Sequence, residues 1–381
     1  MTNALSRLTV GCALLATLLA VPVALSAPAS AIVGHDPEAP GHSGFTVTPP
    51  SAPYVMAFHT CSTSCEDPAN HTIRLAQSTD GASWTDVPGW QAYRGSVPDA
   101  FRRGSTLYVI GAGLSRIDLA TGKVTASRFS VKKADGSPAL ARDISFAGQL
   151  PDGRLVITYV PSMQDVAGAS EIPVLIATED VGSDAASFTS SGTAITIPKS
   201  SLPVVGEPTD PDIFFNGSQW VLYVSVGSNL VSYTASSVTG PFSLSTQVLV
   251  SRDAGGVPAG VVGAGGVWTY VNYGPTRESI EIRRAVSATG VGSIPSGSFS
   301  TVLTGAAYGA TTAESPGIAE NVPGTACGAG CAAASSSTSS AGATSAAAGK
   351  PGSRCRKAGA KGTYQGRTLT CTRVKGKLVW R

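Results

Sequence analysis

The feature that most constrains the fold of this chain is a pattern that recurs four times in its middle. Each copy has a short apolar run, a turn that contains glycine, and a second run rich in aromatic and β-branched residues. The copies are VPDAFRRGSTLYVIG from Val97, RDISFAGQLPDGRLVITYV from Arg142, DPDIFFNGSQWVLYVSV from Asp210 and VPAGVVGAGGVWTYVNYG from Val257. Two such runs around a turn are typical of a β-hairpin, so the repeat predicts a hairpin in each of several similar units.

The spacing of the repeats indicates what these units are. Aligned on Asp99, Asp143, Asp212 and Ala259, the copies lie 44, 69 and 47 residues apart. The long interval contains an insertion rich in Gly, Ser and Thr around residues 181–201. A period of roughly 40 to 50 residues is typical of propeller blades, and further strand-like segments follow the hairpins. The interval predicts four-stranded blades of about 47 residues.

The two ends of the repeated region complete the ring. Residues 54–60 resemble a second strand that has no inner partner nearby, and residues 314–324 resemble an inner strand followed by a turn. Pairing these two segments closes a ring of five blades and removes an exposed sheet edge. The sequence therefore predicts an all-β fold, a five-bladed β-propeller spanning residues 32–324.

The regions outside the ring differ in composition. Residues 1–31 contain Arg7, an apolar run over residues 8–25 and small residues at 27–31, which is the pattern of a cleaved secretory signal. Residues 325–350 are mostly Ala, Ser, Gly and Thr, which predicts a flexible linker. Residues 351–381 form a small basic C-terminal β module. The mature protein is predicted to be secreted, extracellular or associated with the cell wall, and free of the membrane after cleavage.

Six cysteines remain after the signal, and an exported chain predicts that they form three disulfides. Cys355 and Cys371 would staple the C-terminal module, which is too short to build much of a core. Cys61, Cys65, Cys327 and Cys331 either close two short loops or join the two ends of the ring. His59 and His71 beside the first pair could imitate a zinc site, but oxidising surroundings favour disulfides, so neither a metal nor a cofactor is predicted.

Charge is divided unevenly between body and tail. The last 32 residues carry ten Lys or Arg and no acid, which leaves 16 basic and 24 acidic residues between positions 32 and 349. The tail is therefore predicted to hold the protein to an anionic cell-wall polymer, with a merely solvated tail as the alternative. An exported chain with an acidic body is not expected to bind nucleic acid.

Carboxylates recur at the start of the inner strands, where a propeller brings its repeats together. They are Asp99, Asp143, Asp210, Asp212, Glu207 and Glu314. Carboxyl groups that share one pocket cannot all ionise normally, and unequal pKa values are what general acid and base catalysis requires. Glycoside hydrolysis uses such a pair. The alternative is that each aspartate bonds backbone N–H groups of a turn.

These segments resemble the five-bladed propeller glycosidases of glycoside hydrolase family 43 and its relatives. The resemblance rests on residues 97–111, residues 210–225 and the ESPGI segment at 314–318. It implies three roles: a base at Asp99 or Asp212, a residue that tunes pKa at Asp143 or Asp210, and an acid at Glu314 or Glu207. It also implies a carbohydrate substrate.

Two further sets of residues are candidates for sugar contact. Trp90, in a Pro-Gly-Trp loop, could stack on a sugar. Sialidases bind substrate with three arginines, and the nearest candidates here are Arg102, Arg142 and Arg277. The segment STDGASW from Ser78 approximates a sialidase turn but occurs once, so a structural hairpin turn is favoured. The sequence thus predicts a glycoside hydrolase, with a noncatalytic carbohydrate-binding or wall-associated propeller as the alternative.

Overall fold

In the computed structural model the chain folds into five β-sheets arranged as blades around one axis, with a separate three-stranded sheet near the C-terminus. The strand pairs of the blades are antiparallel except for one parallel pair at the outer edge of the third blade. The structure describes residues 41–274, 276, 278–320, 361–364, 367–374 and 377–381. The innermost strand of each blade contacts the innermost strands of both neighbouring blades, and these contacts run in a closed circle. The predicted all-β, five-bladed propeller is confirmed.

The strands are numbered in chain order. Those of the first half are β1 (Tyr54–Cys61), β2 (Thr72–Ser78), β3 (Thr85–Asp86), β4 (Tyr93–Arg94), β5 (Asp99–Arg103), β6 (Thr106–Ile110), β7 (Leu114–Asp118), β8 (Val124–Ser127), β9 (Ser130–Lys132), β10 (Ala141–Gln149), β11 (Leu155–Pro161), β12 (Glu171–Glu179) and β13 (Ser187–Pro198). The others are β14 (Pro208–Phe215), β15 (Trp220–Val226), β16 (Asn229–Ala235), β17 (Ser243–Ser251), β18 (Gly256–Gly263), β19 (Gly266–Tyr273), β20 (Glu281–Ser287), β21 (Ser300–Thr304), β22 (Thr312–Glu320), β23 (Lys361–Tyr364), β24 (Arg367–Val374) and β25 (Lys377–Trp380). Single turns of 3₁₀ helix lie at Pro68–Asn70, Lys199–Ser201, Ser296–Ser298 and Gly305–Tyr308.

Each blade begins at the axis and runs outward. Blade 1 has the order β22-β1-β2-β3, with β4 also on β2, and blade 2 has the order β5-β6-β7-β8. Blade 3 has the order β10-β11-β12-β13-β9. Blade 4 runs from β14 to β17 and blade 5 from β18 to β21. The buried apolar side chains form clusters between neighbouring blades, and they include Trp220 and Trp268, which were predicted to be core residues.

Blade 1 combines the two ends of the ring. Strand β22 pairs antiparallel with β1, so that Tyr54 lies opposite Glu320 and His59 opposite Glu314. Met56 and Phe58 pack toward blade 5, whereas Val55 and Ala57 pack toward blade 2. The predicted closure by residues 314–324 beside the strand from Tyr54 is therefore confirmed for the described part, up to residue 320.

Every innermost strand carries the same irregularity near its beginning. One residue has positive φ, between 46° and 57°, and these five residues are Val97, Asp143, Asp210, Val257 and Ser315. In blades 1, 3, 4 and 5 the pairing skips at this point, which leaves two residues opposite one and forms a β-bulge. A non-glycine residue there costs about 1–3 kcal/mol, so the surrounding contacts must hold it in place.

The bulges correct the alignment of the repeats. Asp143 occupies the same position as Asp210, whereas Asp99 and Asp212 lie two residues farther along their strands. The predicted alignment of Asp143 with Asp99 and Asp212 was therefore wrong, because Asp143 lies two residues earlier on its strand than they do on theirs. The error arose because blade 3 has Ile144 where the other four blades have a proline after the bulge residue.

Backbone N–H groups at the bulges tie neighbouring blades together. Val97 N–H donates to Nδ1 of His59 at 3.3 Å, and Val257 N–H donates to Oγ of Ser225 at 2.7 Å. Ser315 N–H donates in the same way to a side chain of blade 5, Asn272 Oδ1, at 2.8 Å. A polar side chain on the second strand of one blade thus satisfies the bulge of the next.

The segment from Ser78 is a structural turn. Asp80 Oδ1 accepts the N–H groups of Ala82 and Ser83, both at 2.8 Å. Tyr270 O–H donates to the carbonyl of Gly81 at 2.8 Å, which joins blade 1 to blade 5. With five blades and this turn in a structural role, the sialidase-like alternative, which expects six blades, is wrong for the fold.

Cysteines and chain ends are described in part. Cys61 and Cys65 form a disulfide, so this pair closes its own short loop. Cys371 is disulfide-bonded, and the proposed partner Cys355 lies outside the described residues, as do Cys327 and Cys331. The predicted signal and linker also lie outside them. Among the described residues no helix has the length and apolarity needed to cross a membrane.

Gly317 provides a test of the ring closure. A Cβ at this position would collide with the backbone and carboxyl group of Asp99 in blade 2. We expect Gly317→Ala to lower the free energy of unfolding by about 1–3 kcal/mol in chemical denaturation. Gly292→Ala, where a Cβ meets open space, should change it by less than about 0.5 kcal/mol. Equal effects of the two substitutions would contradict this packing.

His59 makes the ring sensitive to acid. Its imidazole stacks on that of His71 at 4.0 Å and both are buried, and burial together with His71 holds the pKa of His59 well below its usual range. Below about pH 6.5 the unfolded chain therefore binds a proton at His59 that the folded chain does not bind. The free energy of unfolding falls as the pH drops, by about 1.4 kcal/mol per pH unit. His59→Asn, which can still accept from Val97, should flatten this slope in denaturation at pH 5 to 7. An unchanged slope would contradict the assignment.

Candidate active site

The five inner strands enclose an axial passage with two openings. The opening where the strands begin, here called the narrow mouth, has a volume of about 20 Å³. It is lined by Val97, Pro98, Asp99, Asp143, Ser145, Asp210, Asp212, Val257, Pro258 and Ser315 to Gly317. The opening where the strands end, the wide mouth, has a volume of about 100 Å³. Asp99 and Asp212 line both cavities and therefore lie between them.

Asp143 and Asp210 form a pair at the narrow mouth. They are the bulge residues of neighbouring blades 3 and 4. Asp210 N–H lies 3.4 Å from Oδ2 of Asp143, and the hydroxyl of Thr209 donates to Oδ2 of Asp210 at 2.6 Å. The bulge directs both residues to the same cavity, which brings two carboxyl groups of adjacent blades together.

The two carboxyl groups do not ionise independently. Burial, and then the negative charge of Asp210, raise the pKa of Asp143 to about 7, while Arg142 opposes the shift. Near neutral pH Asp143 therefore holds its proton for part of the time. One group that can give a proton and one that can accept it are the minimum for general acid and base catalysis.

Arg142 positions this pair. Its Nη1 donates to Oδ2 of Asp143 at 2.9 Å, and its Nε donates to the carbonyl of Pro161 at 2.9 Å. Its Nη2 lies 3.9 Å from Oε1 of Glu207, the residue that precedes β14. Glu207 thus adds a third carboxylate next to the pair, held by the same guanidinium group.

Asp99 and Asp212 differ from the Asp143–Asp210 pair because their carboxyl groups accept hydrogen bonds from backbone N–H groups. Asp99 accepts from the N–H groups of Phe146 at 2.6 Å and Ala100 at 2.8 Å, and Asp212 accepts from Gly260 N–H at 2.8 Å. Phe146 and Gly260 belong to the next blade along the chain in each case. These two aspartates join inner strands, as the backbone-bonding interpretation of such residues predicts.

Burial dominates the ionisation of both. It raises the pKa of Asp99 well above the usual range, with a further contribution from Asp212, and it raises the pKa of Asp212 to about 7. Burial therefore favours the neutral form of both carboxyl groups.

The two glutamates of the predicted site lie beside the narrow mouth. Glu314 precedes the bulge residue Ser315, pairs with His59 across the β1–β22 ladder and is 6% exposed. Glu207 lies 3.9 Å from Nη2 of Arg142. Neither glutamate is part of the lining of the two axial cavities, so the acid implied by the family resemblance stays a prediction.

The residues predicted to contact sugar are separated. Trp90 packs against Phe45 and Tyr93 and donates from Nε1 to the carbonyl of Ile73, so it lies outside the two axial cavities, and its contact with sugar stays a prediction. Arg102 lines the wide mouth. Arg277 lies outside the described residues. Of Trp90, Arg102 and Arg142, Arg142 alone is at the narrow mouth.

Several residues of the narrow mouth were not predicted, and a simple signal could have identified them. Val97, Asp210, Val257 and Ser315 each precede a proline. Aligning the other four repeats on this dipeptide brings Asp210 into register with Val97 and Val257 and adds Ser315 to the lining of the cavity. Within the described residues no cluster of three or more His, Cys, Asp or Glu is arranged to hold a metal ion.

Comparisons with known proteins concern the fold. No protein family and no curated protein sequence matches the chain. Among solved structures it is similar to a thermostable family-43 glycoside hydrolase, with 12% identity over 67% of this chain and 94% of that one and a TM-score of 0.44. It is also similar to a GH43_1 enzyme from Xanthomonas citri complexed with xylotriose, with 15% identity over 68% and 93% and a TM-score of 0.47. An endo-arabinase from Bacteroides thetaiotaomicron has 13% identity over 66% and 100% and a TM-score of 0.42.

Asp212 supplies a test of the buried carboxyl groups. Because its pKa is raised in the folded chain, its contribution to stability is complete below about pH 4 and is lost as the pH rises through 7. Asp212→Asn keeps an acceptor for Gly260 and cannot ionise, so at pH 8 it should be more stable than the parent by roughly 2–4 kcal/mol. The gain should shrink toward pH 4. Asp152→Asn, in an exposed turn, should show no such gain, and a gain independent of pH would contradict the assignment.

Proposed function

We propose that this protein is a secreted glycoside hydrolase whose reacting groups are Asp143 and Asp210. The observation that carries the proposal is the meeting of these two carboxyl groups in one axial cavity, with the pKa of Asp143 raised to about 7. Hydrolysis of a glycosidic bond needs one carboxylic acid and one carboxylate on either side of the bond. The pair at the narrow mouth supplies both at neutral pH.

In this mechanism Asp143 is the acid. Its proton passes to the oxygen of the leaving sugar as the glycosidic bond breaks. Asp210 acts in its ionised form, either by taking a proton from the attacking water or by attacking the anomeric carbon itself. Arg142 holds Asp143 through the 2.9 Å contact of Nη1, and Glu207 provides a further acceptor for sugar hydroxyl groups.

The proposed secretion is supported by two features. Residues 1–31 have the pattern of a cleaved signal. The disulfide between Cys61 and Cys65 is typical of proteins that fold in an oxidising compartment.

A noncatalytic carbohydrate-binding propeller is the competing function. The observation that favours it is the engagement of Asp99 and Asp212 by backbone N–H groups, which shows that some of the axial carboxyl groups serve the fold. Such a protein would bind sugar at the narrow mouth without releasing any product.

The test is hydrolysis by the purified mature protein of arabinan, xylan and aryl glycosides. We expect Asp143→Asn and Asp210→Asn each to reduce kcat/KM by at least about a hundredfold, because the amide keeps the shape but neither gives nor takes the proton. Asp152→Asn should retain full activity. For the parent, kcat/KM should decline above about pH 7 as Asp143 loses its proton.

Two results would contradict the proposal. One is the absence of product from every substrate by a folded protein that binds one of them, which would favour the carbohydrate-binding function. The other is full activity in both amide variants.

A further inference from the structure

The wide mouth is the larger axial cavity, and the proposed reaction does not use it. Its volume of about 100 Å³ exceeds the volume of about 20 Å³ of the narrow mouth and is large enough for a ligand bigger than a single water molecule. All five blades contribute to its wall. It is separated from the Asp143–Asp210 pair by the side chains of Asp99 and Asp212.

The wall of this cavity is mostly aromatic and aliphatic. The aromatic residues come from three neighbouring blades and are Phe101, Phe146, Phe214, Phe215 and Trp220. Phe101 lies 5.6 Å from Phe146 and Phe215 lies 5.4 Å from Trp220, measured between ring centroids. Phe101 and Phe215 are only partly buried, so part of their ring surface is accessible. Such rings offer apolar surface to the C–H face of a ligand.

The rim of the wide mouth carries one group of each charge, and the carboxyl groups of Asp99 and Asp212 lie deeper. Arg102 and Glu320, near the ends of β5 and β22, line the cavity with one guanidinium and one carboxyl group. Asp212 lines the floor. A ligand with a net charge would be attracted by one rim group and repelled by the other, whereas a neutral ligand with several hydroxyl groups can use both.

We propose that the wide mouth is a noncatalytic binding site for a single neutral sugar ring. The aromatic wall takes the apolar face of the ring, while Arg102, Glu320 and Asp212 receive its hydroxyl groups. The proposal does not rest on hydrolysis at the narrow mouth, because a sugar in the wide mouth cannot reach Asp143 or Asp210 past Asp99 and Asp212.

Trp220 gives a direct signal for this site. The purified protein is titrated separately with xylose, arabinose, glucose and galactose while tryptophan fluorescence and heat release are measured. We expect a saturable response to at least one of the four sugars, with a Kd in the millimolar range. The fluorescence part of that response should disappear in Trp220→Phe. No saturable response to any of the four sugars would overturn the proposal.

Variants assign the response to one mouth. Val262→Trp places a large ring in the wide mouth, and Arg102→Gln removes its guanidinium group; each should weaken binding at least tenfold. Asp143→Asn, at the narrow mouth, is the matched control and should leave the Kd unchanged. Circular dichroism verifies that each variant folds. If Val262→Trp does not fold, the effect of Arg102→Gln on sugar binding is the test. Unchanged binding in Arg102→Gln, or loss of binding in Asp143→Asn, would overturn the proposal.

Discussion

The pairing of β22 with β1 is the interaction on which the rest of the structure depends. A propeller blade cannot bury its inner strand alone, because that strand packs against the inner strands on both sides. By placing the last strand of the ring inside the first blade, the chain covers the edge of β1 and completes the circle. The axial cavities exist only because this circle is closed.

The same closure explains the polar contacts near the axis. At each bulge a backbone N–H is turned away from its own sheet, and an unpaired buried N–H would cost about 1–3 kcal/mol. A side chain of the preceding blade accepts a hydrogen bond from this N–H group, and these side chains are His59, Ser225 and Asn272. In blade 3 the residue equivalent to His59, Ser225 and Asn272 is Val160, whose side chain cannot accept a hydrogen bond. The N–H of Asp210 faces the carboxyl group of Asp143 instead. A structural requirement thus brings these two carboxyl groups together.

The five-bladed ring could be predicted from the sequence because its signals are local and periodic. The hairpins at residues 97–111 and 210–225 have a glycine-containing turn followed by an aromatic and β-branched run, and their spacing matches a blade. The site was predicted less well. Asp143 and Asp210 were both named, but Asp143 was aligned with Asp99 and Asp212, because blade 3 has Ile144 in place of the proline that marks the bulge in the other four blades.

The sequence by itself determined the class of fold, the number of blades, the pairing of the two ends and the set of acidic residues near the axis. Only the tertiary structure decided which of those acids meet. Asp143 and Asp210 share a cavity. Asp99 and Asp212 accept hydrogen bonds from the inner strand of the next blade. Glu314 lies opposite His59 in the pairing of β22 with β1. The physical reason is that strand formation depends on neighbours within a few residues, whereas the direction of a side chain at a bulge depends on contacts between blades that are far apart in the chain.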